Sequence, residues 1–217
     1  MRPVTVTVGP LATPSANNIS LSQTPTAAAG FTINGSLASG GIATLDKPRR
    51  VLFTPTGNES ANTFTIVGTN ASNMPQTEII VGSNAATFFT NLDFKTVSSI
   101  RLTANASAAI TVGTNSVASS PWVRLDDYAL PQVAVQCSVS GTATYSVQQT
   151  LQDPNSQTDF VVPYSIVWLN SNDSAVVNSS VSVQTSYQYS PAFARILLTS
   201  GTGSVSAVFT QFGASAF

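Results

Sequence analysis

Residues 133–149, VAVQCSVSGTATYSVQQ, contain the pattern that decides the fold class. Apolar and polar residues alternate on both sides of Gly141, and this period of two is typical of half-buried β-strands. A glycine between two alternating runs supplies the positive φ that a tight turn requires. The sequence therefore predicts a β-hairpin here, and it predicts a second one around Gly201 and Gly203, between the runs 193–199 and 205–211.

Similar runs recur along the rest of the chain, separated by clusters of Gly, Asn, Ser and Pro. Their spacing of about 8–12 residues is typical of β-sandwiches and barrels. The other predicted strands are 31–34, 41–45, 50–53, 63–67, 78–81, 100–102, 110–112, 165–168 and 180–187, and the run 88–97 predicts a short helix or a corner. We therefore predict an all-β protein with two sandwich-like or barrel-like domains, 30–118 and 119–217.

The first 29 residues have a different sequence pattern from the two predicted domains. Val4–Val8 alternates and stops at Gly9-Pro10, whereas 11–30 has few large apolar residues and two prolines. We interpret 1–29 as an extended arm, and we expect its strand to add to the sheet of a neighbouring subunit. Met1 to Ser20 shows no apolar run of a targeting segment, and no window is apolar enough for a membrane helix.

The composition removes several classes of function. Of 217 residues only 8% are charged, the net charge is -1, and histidine is absent. A nearly neutral chain is not attracted to nucleic-acid phosphates or to anionic membranes. Ser, Thr and Asn make up about a third of the residues, and such side chains can form hydrogen bonds at protein contacts without the cost of burying ions.

The carboxylates offer two candidate sites. Asp126 and Asp127, with Asp153 and Asp159, could hold Ca²⁺, but their spacing matches no ion-binding loop, and solvated turns with a pairing to Arg124 explain them better. The pair Glu59 and Glu78 would suit sugar hydrolysis only if the fold brought the two together.

Three further features are explained more simply by structure than by chemistry. Cys137 is in phase with Val133 and Val135, which predicts a buried thiol, and nucleophilic use would need a base that histidine cannot supply here. Arg49-Arg50 is too small for a nucleic-acid footprint and is expected to be a rim contact or a paired surface charge. Five aromatic residues could form a sugar-stacking surface, although a core or an interface is the commoner role: Trp122, Tyr128, Tyr187, Tyr189 and Phe193.

Several segments resemble structural proteins of tailed bacteriophages. They are MRPVTVTVGPL (1–11), RVLFTPTGNESANTFTIVGTNASNMPQTEIIVG (50–82), FKTVSSIRLTANASAAITVG (94–113) and SPAFARILLTSGTGSVSAVFTQFG (190–213). The first part is similar to virion modules in which G-x-T-F-T-I-x-G-T precedes an acidic strand, here 77–80. The last part resembles a β module with R-I-x-L-T-S-G-T-G-S-V followed by Q-x-G, here 195–213.

The resemblance implies a non-enzymatic virion component, in first place a capsid decoration or cement protein bound to the major capsid protein. A tail or connector accessory protein is the alternative, and a carbohydrate-binding module comes third. We expect assembly in the bacterial host cytoplasm, contacts with other virion proteins, and a homo-oligomer, a trimer or a dimer. The sequence predicts no catalytic, cofactor-binding or metal-binding residues, and no nucleic-acid or membrane partner.

Overall fold

The chain divides into two units in a computed structural model that describes residues 3–125, 132–154, 161–187 and 189–211. One unit is Ala12–Ser116, which we call the inserted unit. The other combines Met1–Leu11 with Val117–Phe217, and we call it the split unit. The first eleven residues therefore belong with the carboxyl-terminal half of the chain.

Strands make up nearly all the regular structure of the described residues, which confirms the all-β prediction. Two single-turn 3-10 helices, Pro163–Ser165 and Ser174–Val176, are the exceptions there. The strands are β1 (Val4–Val8), β2 (Ser15–Gln23), β3 (Ala38–Ser39), β4 (Ile42–Arg49), β5 (Val51–Pro55), β6 (Thr63–Thr69), β7 (Pro75–Val81), β8 (Phe88–Phe89), β9 (Phe94–Leu102), β10 (Ile110–Thr114), β11 (Ala118–Ser119), β12 (Val123–Arg124), β13 (Val133–Ser140), β14 (Ala143–Thr150), β15 (Leu169–Asn170), β16 (Val183–Tyr187), β17 (Phe193–Gly201) and β18 (Ser204–Gln211).

The inserted unit contains two antiparallel sheets with aromatic side chains between them. The strand orders are β2-β10-β5-β8 and β3-β4-β9-β6-β7. Phe53 from the first sheet and Phe64 from the second are fully buried, with their ring centroids 5.3 Å apart. Phe88 stacks on Phe53 at 5.0 Å, so aromatic packing joins the two sheets of this unit.

The split unit is also built from two sheets around one apolar core. Their strand orders are β1-β18-β13-β16 and β11-β17-β14-β15, and β12 also pairs with β17. Val135 and Phe209 of the first sheet and Val147 and Ile196 of the second belong to the same buried cluster. The alternation that predicted these strands is therefore the alternation between core and solvent.

The predicted amino-terminal arm is replaced by two strands that pair within the chain. β1 lies antiparallel to β18, and its Val6 and Val8 are buried in the core of the split unit. β2, inside the stretch 11–30 that was expected to be extended surface, pairs with β10. The unit boundaries fall after Leu11 and Ser116, not at 29 and 118.

The two predicted hairpins are connections between sheets. β13 pairs with β16 and β18, whereas β14 pairs with β15 and β17, so the turn at Gly141 links the two sheets of the split unit. The turn at Gly201 does the same for β17 and β18. Both glycines have the predicted positive φ, +74° and +100°, and the turns contact each other through the Gly203 N–H, which donates to the Thr142 carbonyl at 2.7 Å.

Two other segments differ from their predictions, and the structure decides between the alternatives for a third. The run 88–97 contains no helix and forms the corner, with a bend at 91–92 between β8 and the beginning of β9. Segment 31–34 is not assigned to a strand although Phe31 and Ile33 are buried. Segment 165–168 is not a strand: it begins with Ser165, the last residue of the first 3-10 helix, and ends just before β15. In the segments 31–34 and 165–168, the buried side chains of Phe31, Ile33 and Ile166 reach the interior from outside the strands.

Candidate functional site

Glu59, one member of the candidate carboxylate pair, is fully buried and holds two loops of the inserted unit together. Its Oε1 accepts hydrogen bonds from the Ser107 N–H at 2.8 Å and the Ser107 hydroxyl at 2.7 Å, and its Oε2 accepts one from Asn62 Nδ2 at 2.7 Å. Burial by itself would raise the pKa of Glu59, but these donors and the Ala108 N–H outweigh it and lower the pKa. The carboxylate is therefore held ionised as a loop anchor.

Glu78, the other member, is also fully buried but contacts a different loop. Its two oxygens accept hydrogen bonds from the N–H groups of Asn91 at 2.5 Å and Leu92 at 2.9 Å. Burial raises its pKa to about 7, against the lowering effects of these N–H groups and of the Arg50 charge, and the nearby Asp93 raises the pKa further. Arg50 Nε lies 2.9 Å from Asp93 Oδ1.

The two glutamates do not form the pair that glycoside hydrolysis requires. Glu59 is bonded to the loop at 107–108 and Glu78 to the turn at 91–92, and no described residue has a recorded hydrogen bond to both carboxylates. A general acid and a nucleophile must both reach the same sugar from an open site. These carboxylates are instead enclosed by their own loops, so their geometry supports a structural role.

Both residues of the Arg49-Arg50 pair are buried, which corrects the expectation of surface charges. Arg50 is partnered by Asp93 and donates to the Thr90 carbonyl at 3.1 Å. Arg49 donates to Asp46 Oδ1 at 3.1 Å, to the Ala12 carbonyl at 2.9 Å and to the Asn115 carbonyl. The guanidinium groups therefore satisfy buried acceptors inside the inserted unit.

The aspartate cluster is visible only in part. Asp153 Oδ2 lies 3.5 Å from Arg124 Nη2; the Arg124 side chain is exposed and that of Asp153 is partly exposed, as expected for the ion pair of a turn acid. Asp126, Asp127 and Asp159 lie outside the described residues. Among the residues that the structure describes, no three side chains of His, Cys, Asp or Glu come together as a metal site would need.

Cys137 is a buried free thiol in β13, as its phase with the neighbouring valines predicted. Burial raises its pKa to about 11, opposed by a hydrogen bond with Tyr145. Tyr145, which is buried as well, has its pKa raised to about 12, again mainly by burial. A thiol that stays protonated at neutral pH is a core side chain and not a nucleophile.

The predicted aromatic surface is divided between core and solvent. Tyr187 is buried in the core and Phe193 is 7% exposed, whereas Tyr189 is 39% exposed and Tyr128 lies outside the described residues. Trp122 contacts Phe193, with centroids 6.0 Å apart. Of the predicted aromatic set, Trp122 and Phe193 therefore lie together.

Two members of the aromatic contact were not predicted from the sequence. Trp168 lies edge-on to Trp122 at 5.2 Å, and the Arg195 guanidinium covers the Trp168 ring at 4.1 Å from its centroid. Gln148 Oε1 accepts hydrogen bonds from Arg195 Nε and Nη2 at 3.0 and 2.8 Å. A stacking sugar needs an open ring face, and Arg195 occupies one face of Trp168.

The edge strand β7 presents an uncharged surface with exposed aliphatic side chains. It pairs with β6 alone among the strands that the structure describes. Ile79 and Val81 on its outer side are 48% and 63% exposed, whereas Glu78, the one charged residue of the strand, points inward and is buried. Edge strands are commonly protected by charge, so this outer face is a candidate contact surface.

Two further findings concern membrane helices and similarity to known proteins. Over the described ranges no helix is long and apolar enough to cross a membrane. Comparison of the chain with protein-family models, with curated proteins and with solved structures found no match.

Proposed function

We propose that the protein is a non-enzymatic structural component of a bacteriophage virion, a decoration protein that binds the outside of the capsid shell. The observation that carries the proposal is the outer face of the edge strand β7, which is uncharged and where Ile79 and Val81 are exposed. Such a face gains free energy when another protein covers it, both by burial of apolar area and by pairing of the strand edge.

The chemistry of the buried groups supports a role without catalysis. Glu59 and Glu78 have their oxygens engaged by loop N–H groups and by Asn62 and Ser107. Cys137 is buried with a raised pKa. An acid, a base or a nucleophile must reach a substrate, and none of these three groups is exposed to do so.

The composition supports many protein contacts with little electrostatic steering. The chain has eight basic and nine acidic residues in 217, and several of the charged side chains are used internally, among them Arg49, Arg50, Glu59 and Glu78. Contacts made by the remaining surface are therefore mainly uncharged. We propose a homo-oligomer, a trimer or a dimer, that holds to the major capsid protein with little dependence on salt.

The experiment combines particle binding with two charge substitutions on β7. Purified particles carrying the protein are washed across a salt series, and the retained protein is compared with the Ile79→Lys and Val81→Lys variants. We expect retention of the unchanged protein at moderate salt and loss of the variants, because a lysine on the face would have to be desolvated. Gln136→Lys, at an exposed position of the central strand β13, is the matched control and is expected to be retained.

Location of the protein in a reconstructed particle separates the proposal from its alternative. Density on the outer shell is the expected result. Density at the tail or connector would assign the protein to the accessory class, and steep release between low and moderate salt would contradict the uncharged contact. The sugar-binding alternative is not favoured, since Tyr187 is buried and Arg195 covers Trp168.

A further inference from the structure

The inserted unit begins and ends at two segments that one buried side chain joins. Arg49 donates to the carbonyl of Ala12, the first residue of the unit, at 2.9 Å, and to the carbonyl of Asn115, the residue before its last. Arg49 lies 37 residues from Ala12 and 66 from Asn115 in the sequence. It is 1% exposed and is the largest fully buried side chain of the described residues.

Asp46 completes the arrangement from the same strand. Its Oδ2 accepts a hydrogen bond from the Ala12 N–H at 2.7 Å, and its Oδ1 lies 3.1 Å from Arg49 Nη1. Both backbone polar groups of Ala12 are thus bonded to this ion pair. The hydrogen bonds from Ala12 and Arg49, together with the Arg49 charge, outweigh the effect of burial, so the pKa of Asp46 is lowered.

An irregularity of β4 allows the two side chains to meet. Residues three apart on a regular strand point to opposite faces. The register between β4 and β9 shifts between Thr44 and Arg49. In the stretch of the shift, Lys95 Nζ donates to the carbonyls of Leu45 and Asp46, at 2.7 and 3.1 Å. The interruption lets Asp46 and Arg49 turn to the same side.

The strand pairing at this end of the unit is irregular. β2 and β10 shift register twice, between Ile110 and Val112 and between Val112 and Thr114. Asn18 Nδ2 donates to Thr114 Oγ1 at 2.8 Å, whereas the Ser15 N–H reaches the same oxygen only at 3.4 Å, which is a long hydrogen bond. The Asp46 and Arg49 bonds are shorter and charge-assisted, and such bonds are the stronger kind.

We propose that Asp46 and Arg49 form a conformational latch that holds together the neck of the inserted unit, which we define as residues 12–15 and 114–116. Release of the latch opens the neck and leaves the Phe53–Phe64 core of the unit folded. The inference is independent of the virion role, because it rests on contacts inside one unit. Arg49 acts as a positioning residue, and its planar fork of donors is what allows one side chain to serve two carbonyls and a carboxylate.

Hydrogen exchange measured by mass spectrometry on the full chain tests the latch. In Arg49→Lys the positive charge remains, but one ammonium cannot bridge the two carbonyls. We expect amide exchange in the neck to rise by at least about tenfold, while peptides that contain Phe53 and Phe64 exchange as before. Arg101→Lys, at an exposed arginine of the same unit, is the matched control and is expected to change neither region.

A second variant keeps the test decisive if Arg49→Lys fails to fold. Asp46 is partly exposed, with 31% of its side chain accessible, so we expect Asp46→Asn to fold. It removes the charge that the Ala12 N–H and Arg49 share. We expect the same neck-limited rise, smaller than for Arg49→Lys. An unchanged neck in the variant that folds would overturn the latch. A uniform rise across the whole unit would overturn it as well, since Arg49 would then support only global stability.

Discussion

Val6 lies opposite Ala207 in antiparallel register, so the first strand of the chain is paired with the last strand that the structure describes. Both residues are buried in the core of the split unit. β1 is an edge strand of its sheet, and one of its faces closes that core. The pairing makes the amino-terminal segment part of a fold whose other strands begin more than a hundred residues later in the sequence.

Deletion of residues 1–9 is expected to destabilise the split unit. It removes Val6 and Val8 from the core, at a cost of about 3–6 kcal/mol. Chemical denaturation followed by tryptophan fluorescence measures the loss, because both tryptophans of the chain, Trp122 and Trp168, lie in that unit. An unchanged midpoint would mean that β1 is the free arm that the sequence suggested.

Glu78 is expected to make the protein less stable as the pH rises from about 4.5 to 7. Its pKa in the folded state is about 7, above the ordinary 4.5, so the folded state keeps a proton that the unfolded state has lost. By linkage the free energy of unfolding falls across this window, by up to about 3 kcal/mol. For Glu78→Gln, the free energy of unfolding measured by urea titration at several pH values should not show this fall. Parallel curves for the two proteins would contradict the prediction.

Glu59 is expected to show the opposite dependence. Its pKa is lowered in the folded state, so its ionised form stabilises the fold above the unfolded pKa, and this stability is lost as the pH falls through the folded pKa. Glu59→Gln should cost about 1–3 kcal/mol at neutral pH and less in acid. Neither glutamine variant should alter hydrolysis of peptide, ester or glycan substrates, for which we expect no turnover. Turnover abolished by either substitution would contradict a structural role.

Cys137 is expected to resist thiol reagents until the split unit unfolds. It is 1% exposed, and burial raises its pKa to about 11, so the reactive thiolate is scarce at neutral pH. Labelling with a maleimide, measured by mass spectrometry, should be complete in denaturant and very slow in buffer without denaturant. Fast labelling of the native protein would show that the thiol is open to solvent.

The alternating pattern predicted most strands because it records which side chains face a core, but it carried no information on pairing. The turns at Gly141 and Gly201 have the glycine and the positive φ expected of hairpins, yet a turn between sheets needs the same features. β2 was missed because two of its three buried residues, Asn18 and Ser20, are polar, and the buried positions are consecutive and do not alternate. Asn18 Nδ2 donates to Thr114 Oγ1 and the Ser20 hydroxyl donates to the Thr32 carbonyl, partners that only the folded chain supplies.

In the candidate site, too, the residue types could be read from the sequence, but their interaction partners could not. Carboxylates such as Glu59 and Glu78 can be selected from the sequence, but their role depends on loop N–H groups at positions 107, 91 and 92. Trp168 and Arg195 were missed because they are 27 residues apart and no spacing rule relates a loop aromatic to a strand arginine. The buried thiol was predictable, since its phase within one strand is a local property.

The insertion of one unit between β1 and the rest of the other has a consequence for synthesis on the ribosome. The inserted unit is complete once Ser116 has emerged, whereas the split unit lacks β18 until Gln211 has been added. At ordinary translation rates this interval is about 5–20 s. Throughout it, β1 has left the ribosome without its partner strand. During this interval the unpaired, valine-rich β1 can pair with other nascent chains. The inserted unit, which follows β1 directly in the sequence, is already complete by then.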